Sequence, residues 1–173
     1  MRPTFRANLV AALATALVTA LVTAACGSSS GEVRFGMAGP FHEGFGLANQ
    51  NGARLAVDEI NAAGGVGGDS LILEFRNDSG DGSRAALIAQ EFVDDARVAA
   101  VVGHVTSGAM LAAAKVYDGN LAAVATTASS AALTGISPWA FRVISSDSAN
   151  GVDLARFAKR LGKRRVAVLY END

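Results

Sequence analysis

Three short stretches of the chain concentrate glycine beside hydroxyl-bearing residues. They are Gly39-Pro40-Phe41-His42-Glu43-Gly44-Phe45-Gly46, Gly103-His104-Val105-Thr106-Ser107-Gly108 and Thr126-Thr127-Ala128-Ser129-Ser130. Glycine lets backbone N–H groups approach a guest closely, and serine and threonine add hydroxyls that both donate and accept. A carboxylate suits such a lining, because each hydrogen bond to a charged group contributes about 1.5–3 kcal/mol. Ser107 and Gly108 read as the opening of a helix, whose free N–H groups and dipole attract anions. The same residues have plainer uses: Ser107 as an N-cap, Ser129 and Ser130 as turn formers.

Other chemistries fit less well. The chain has two histidines. His104 precedes Ser107 by three residues, a link too short to set a base against a nucleophile in most geometries, and no nucleophile elbow accompanies it. His104 reads instead as a structural residue bonding backbone near its loop, and His42 as an exposed loop residue. Neither has a second ligand at metal spacing. A nucleotide-dependent enzyme needs Gly-x-Gly-x-x-Gly after its first strand. Gly44-Phe45-Gly46-Leu47-Ala48-Asn49 lacks the third glycine, and Gly64 to Gly68 lies between a helix and a strand. The residues therefore suggest no catalytic group, no cofactor and no metal. Fifteen basic residues against sixteen acidic ones, without basic and aromatic residues interleaved, also argue against a nucleic-acid partner. The basic run Lys159 to Arg165 suits the solvated end of a helix, where cations complement the dipole.

Hydrophobic periodicity supplies the elements that would hold these loops. Apolar runs predict strands at Val33 to Ala38, Ser70 to Phe75, Val98 to Val102, Leu121 to Ala125, Ala140 to Ile144 and Val166 to Tyr170. Helical spacing places Ala53, Ala56, Val57 and Ile60 on one face, with that helix ending near Asn61. A second helix, capped by Ser83, turns Ala85, Ile88, Ala89 and Phe92 inward. A third does so with Met110, Ala113, Ala114 and Tyr117, and a fourth carries Leu154, Phe157, Ala158 and Leu161. Strands alternating with helices indicate parallel pairing through right-handed crossovers, and continuous apolar strands indicate helices on both faces. The expected fold is a doubly wound α/β lobe over residues 32–145. In the strand order 2-1-3-4-5 the loops after strands one and three face each other at the switch point, where ligands bind. Val166 to Tyr170 then reads as the first strand of a further lobe, mostly absent, beginning near residue 146.

The N-terminus carries a different message. Arg2 and Arg6 precede the uncharged run Leu9 to Val22, which is shorter than the ~20 residues that span a bilayer. With small residues following, residues 1–25 read as a secretory signal. Thr23-Ala24-Ala25-Cys26 resembles a lipobox with threonine where leucine is more common. The resemblance implies that Cys26, the sole cysteine, becomes the lipidated first residue of the mature chain. Residues 26–31 would form a flexible tether, holding an exported protein on the extracytoplasmic face of the cell membrane. Residues 1–25 contain two arginines and no acid, so thirteen basic groups then face sixteen acidic ones and the mature net charge is −3.

The segments VRFGMAGPF (33–41), NGARLAVDEINAAGGVGG (51–68), ALIAQEFVDDARVAAVVGHVTSG (86–108), AVATTASSAALTG (123–135) and AFRVISSD (140–147) resemble the leucine/isoleucine/valine-binding protein family, in the same order along residues 32–173. The most specific pieces are Gly-x-x-Leu-Ala-Val-Asp-Glu-Ile-Asn-x-x-Gly-Gly from Gly52 and the serine after the third strand. The resemblance implies a type I periplasmic substrate-binding protein of an ABC importer, with an amino acid held between two lobes and a membrane permease as partner. By position, it implies that the Ser107 hydroxyl meets the α-carboxylate or α-ammonium, that Thr127 contributes backbone groups, that Ser129 contributes its hydroxyl and that Phe45 touches the ligand. The family often has Pro and Ala near Thr126 and Thr127, where this chain departs. In the family, the acid that meets the ligand's ammonium and much of the side-chain pocket come from the second lobe. A similar ectodomain that senses amides or other small solutes for a receptor is the alternative reading.

Overall fold

Apolar runs of three to eight residues build one parallel sheet in the computed structural model, which describes residues 31–169. The strands are β1 (Glu32–Gly39), β2 (Ser70–Asn77), β3 (Val98–Val102), β4 (Ala123–Ala125) and β5 (Ala140–Arg142), in the order β2-β1-β3-β4-β5. The helices are α1 (Gly44–Ala62), α2 (Gly82–Asp94), α3 (Ser107–Tyr117) and α4 (Asp147–Arg160), with a 3-10 turn at Ala131–Leu133. The chain steps from β1 outward to β2, then back across β1 to β3. Right-handed crossovers that reverse direction put their helices on opposite faces. Hence α1 covers one face, and α2 and α3 lie side by side on the other.

The core sits under α2 and α3. Ala85, Ile88, Ala89 and Phe92 of α2 and Met110, Ala113, Ala114 and Tyr117 of α3 are all buried, as their spacing requires. They face Ala38, Val98, Val101, Ala123 and Ala125 of the sheet. Alanines let α3 approach closely, and the bulk of Phe92 is accommodated by Gly36, where a Cβ would come within 2.8 Å of the ring. Full burial of a side chain such as Phe92 contributes about 1.5–3 kcal/mol.

The helix ends and strand limits have local causes. Asp81, not Ser83, caps α2: its carboxylate accepts the Arg84 N–H at 2.7 Å, and Ser83 lies inside the helix. An aspartate after an Asp78–Gly80 turn is already placed at the cap position, which leaves Ser83 two residues too late. Asn61 ends α1 by pairing with both backbone groups of Leu71, at 2.7 and 2.9 Å, as a strand would. Leu121 is not in β4 because its N–H is committed to the Tyr117 carbonyl in the turn that closes α3. β5 stops at Arg142, and the chain then turns into α4, whose N-cap Ser146 accepts the Ala149 N–H at 3.2 Å.

Three expectations meet the structure differently. Gly44-Phe45-Gly46 belongs to the first turn of α1, not to a loop. Of the expected inner face of α1, Ala53 and Val57 are half-buried while Ala56 and Ile60 are exposed. A helix about 10 Å wide spans roughly two strands at their ~4.8 Å spacing, and the other sheet-covering helices lie on the opposite face, so the flanks of α1 stay open. Val166–Leu169 forms no strand, and Val166, Val168 and Leu169 are exposed. Extended backbone becomes a strand when a neighbour satisfies its N–H and carbonyl groups, and among the described residues none pairs with it. Tyr170, its last expected residue, lies outside the described residues. The same exposure holds for α4, amphipathic as its spacing requires, with Val152, Leu154 and Phe157 in solvent.

β3 ends against β1 at Gly103, whose φ is +122° and whose Cβ, if it had one, would overlap the Ala38 carbonyl oxygen. Gly103→Ala is therefore expected to destabilise the fold by more than about 1 kcal/mol. Urea denaturation reads this directly, and an unshifted midpoint would contradict the steric account.

Candidate ligand-binding site

Adjacent parallel strands deliver their outgoing loops to one edge of the sheet. Here β1 and β3 are neighbours, and β4 follows β3, so the three hydroxyl-rich stretches share that edge. The reversal of strand order falls between β1 and β3, the place where an open α/β sheet parts its loops.

The loops are tied to each other one by one. The Asp78 N–H, just past β2, donates to the Gly39 carbonyl at 3.2 Å. The Gly103 N–H donates to the Val124 carbonyl at 2.8 Å. The Thr127 hydroxyl donates to the Val105 carbonyl at 2.6 Å, and the Ser107 hydroxyl accepts the Ser130 N–H at 3.2 Å. Ser107, Thr127 and the Ser129–Ser130 segment are thus brought together. The Ser129 carbonyl also accepts the Asp147 N–H at 2.9 Å and the Arg142 guanidinium at 3.4 Å, which fixes that segment from behind.

What remains unspent at this edge decides what it can bind. In α3 the first N–H to reach a carbonyl is that of Met110, to Thr106 at 3.0 Å. The N–H groups of Ser107, Gly108 and Ala109 are therefore open at the helix end, as the geometry of an N-terminus requires. Thr106 occupies the N-cap position with φ −95° and ψ 152°, yet its side chain caps nothing. Its hydroxyl and that of Thr126 are buried without a partner among the described residues. Ser107 is the first helical residue rather than the cap, and its own hydroxyl proton takes part in no bond among the described residues. Thr127 has committed its hydroxyl, so only backbone groups remain for a guest. Free N–H groups, a hydroxyl proton and a positive helix end form a lining for a carboxylate.

Phe45 stands apart from the other three. It is half exposed in the first turn of α1, beside Gly46, where a Cβ would overlap the Pro40 carbonyl. That glycine serves backbone packing, which accounts for the near miss to a nucleotide fingerprint. Cys26 lies outside the described residues. Among the described residues no group of three or more His, Cys, Asp or Glu is placed to hold a metal, and no helix is long and apolar enough to cross a membrane.

Cleft size does not mark this edge. One cleft, about 590 Å³, runs between the 3-10 turn and α4, along Ala131, Thr134, Ser146 and Arg156. A second, about 430 Å³, lies beside α1 over Met37, Val102 and Thr126. Neither is lined by Ser107, Thr127, Ser129 or Phe45. Convergence of unspent donors is the better guide here, because the open N–H groups of α3 and the Ser107 hydroxyl lie outside both clefts.

Behind the edge lies a group that the periodicity does not reveal. Asp78, His104 and Tyr117 are fully buried. His104 Nδ1 is 2.7 Å from the Asp78 Oδ2, and Nε2 is 3.1 Å from the Tyr117 hydroxyl. His104 thus bonds two side chains rather than the backbone expected of it. The sequence marks Tyr117 as an inward position but does not single out Asp78, and their meeting needs three elements at once. Burial, and then the negative charge of Asp78, pushes the Tyr117 phenol well above its ordinary ionisation range.

The family profile described as periplasmic binding protein matches residues 33–173. A protein of Pseudomonas aeruginosa described as an amino acid binding protein is 33% identical over 150 residues, covering 82% of this chain and 40% of that protein. The leucine-specific-binding protein of Salmonella typhimurium is 30% identical over 138 residues, covering 78% and 37%. An ABC transporter substrate-binding protein from Desulfitobacterium hafniense, solved in complex with Leu, aligns with a TM-score of 0.72 at 32% identity, over 82% of this chain and 43% of that one. The chain belongs to the periplasmic binding protein family. It spans about two fifths of the length of the relatives it matches.

The unfolded Tyr117 phenol ionises near pH 10.0 and the folded one higher. The folded state then keeps a proton that the unfolded state releases, so stability is full below that pH and is lost above it. The melting temperature is expected to fall between about pH 9 and 11, and Tyr117→Phe to fall less steeply from its own starting value. Equal slopes in thermal melts of the two proteins would refute this.

Proposed function

We propose that this chain is the amino-acid-gripping lobe of an exported substrate-binding protein that supplies an ABC importer, with a branched-chain or related amino acid held between it and a second lobe. The observation that carries the reading is the convergence of the Ser107 hydroxyl and the open N–H groups of α3 on the Thr127–Ser130 segment. In this reading the α3 N–H groups and the Ser107 hydroxyl hold the ligand's α-carboxylate. The backbone of Thr127 and the hydroxyl of Ser129 complete its polar surroundings, and Phe45 offers an apolar surface. The ligand's ammonium and side chain fall to the second lobe, beginning near residue 146. The exposed apolar face of α4 fits a helix that belongs to that lobe. The lobe described by residues 32–145 binds and orients, and it presents no residues arranged for catalysis.

Export and anchoring complete the proposal. Residues 1–25 act as the signal, Cys26 carries the lipid, and residues 26–31 tether the lobe beside the membrane permease that receives the amino acid.

In the two-lobed protein, calorimetry is expected to give saturable binding of leucine, isoleucine or valine, weakened by about 1–3 kcal/mol in Ser107→Ala. Residues 27–173 alone are expected to bind more weakly than micromolar, because a small-ligand site normally buries roughly 70–90% of its guest. An unchanged affinity in Ser107→Ala rejects the assignment of that hydroxyl. For the anchor, Cys26→Ser is expected to move the protein from the membrane to the soluble fraction of lysed cells. Retention in the membrane fraction would rule out lipidation at that residue.

A further inference from the structure

The buried Asp78, His104 and Tyr117 side chains raise a physical question. Three polar groups at zero exposure add little net stability over an apolar set of the same shape, and each becomes costly if one partner is removed. Such a network confers definition of position, because its hydrogen bonds close in one arrangement only.

The three residues come from the places that define the binding edge. Asp78 lies in the turn after β2, where its Oδ1 accepts the Gly80 N–H at 2.8 Å and its N–H reaches the Gly39 carbonyl of the β1 loop at 3.2 Å. His104 lies in the β3–α3 loop, three residues before Ser107. Tyr117 is the last residue of α3. Helical side chains lean toward the N-terminus of their helix, so the long phenol runs back beneath α3 to meet His104. The imidazole is held between the Tyr117 phenol of α3 and the Asp78 carboxylate of the neighbouring turn.

Donors and acceptors assign the direction of the chain. With a neutral imidazole, the Tyr117 phenol donates to Nε2, and Nδ1 carries the ring proton and donates it to the Asp78 carboxylate. Every polar atom that faces another in this chain has one partner and one role.

We propose that His104 is a positioning residue for the binding site: held by Asp78 and Tyr117, it fixes the β3–α3 loop so that the Ser107 hydroxyl and the first N–H groups of α3 face the ligand. The ligand part of this proposal rests on the function proposed above, whereas the loop part stands without it. Hydrogen bonds to a carboxylate weaken steeply with misalignment, so a loop released from this clamp loses affinity while the sheet behind it stays folded.

The test uses Tyr117→Phe, which keeps the ring and removes one hydrogen bond. Asp78→Asn is the second variant if the first does not fold. Ile88→Ala serves as a comparison that loosens the same core without touching the network. Amide hydrogen exchange on this chain without ligand is expected to be faster at Gly103 and Met110, the bonded amides that flank the loop, in Tyr117→Phe, and not there in Ile88→Ala. In the two-lobed protein, leucine affinity is expected to fall by about tenfold in Tyr117→Phe, and to stay within about twofold in Ile88→Ala at matched loss of melting temperature. Exchange unchanged at Gly103 and Met110 in the network variants overturns the proposal. So does an affinity loss in Ile88→Ala that equals that of Tyr117→Phe. If the wild-type two-lobed protein binds none of leucine, isoleucine and valine, the branched-chain reading fails, and the exchange comparison alone decides the positioning role.

Discussion

The rest of this structure depends on the close approach of β3 to β1 at the edge where both strands end. Parallel strands send all their outgoing loops to one edge, and a right-handed crossover that reverses direction must part its helices there. The reversal makes β1 and β3 neighbours although a helix, a strand and another helix separate them in the chain. Gly103 makes the contact possible, since any side chain there would meet the Ala38 carbonyl. Gly46 does the same for the β1 loop against α1. Gly46, which gives α1 its near miss to a nucleotide-binding signature, is thus explained by backbone lying against backbone.

From that contact follows the division of labour between the two faces. On the α2 and α3 side, alanines and larger residues from both helices fill the space over the sheet, with Phe92 over Gly36. This side is a finished core. On the α1 side, a single helix lies over a sheet about twice its width, and its apolar residues remain partly open. The exposed stripes of α1 and α4 and the exposed apolar residues after Lys163 are consistent with a lobe that occupies about two fifths of its relatives' length.

Polar groups at the binding edge fall into two populations. Some are spent on holding loops together, such as the Thr127 hydroxyl, the Ser130 N–H and the buried Asp78–His104–Tyr117 chain. Others stay open, such as the first N–H groups of α3. Rigidity in the first population is what gives the second its direction. A carboxylate rewards donors already aimed at it, because the cost of ordering them has been met in folding.

The sequence by itself determined the doubly wound α/β class, the inner faces of α2 and α3 and the hydroxyl-rich loops that come together, because hydrophobic period and glycine placement are local properties that tertiary contacts seldom reverse. It also placed Ser107 at the start of a helix and carried the family resemblance. Tertiary structure decided the rest. It chose Asp81 over Ser83 as a cap, left Val166–Leu169 unpaired and committed the Thr127 hydroxyl to Val105. It also turned His104 from a loop residue into the centre of a buried chain reaching 26 residues back and 13 forward. Each of these depends on a partner distant in sequence, and a hydrogen bond between distant residues leaves no periodicity for the sequence to display.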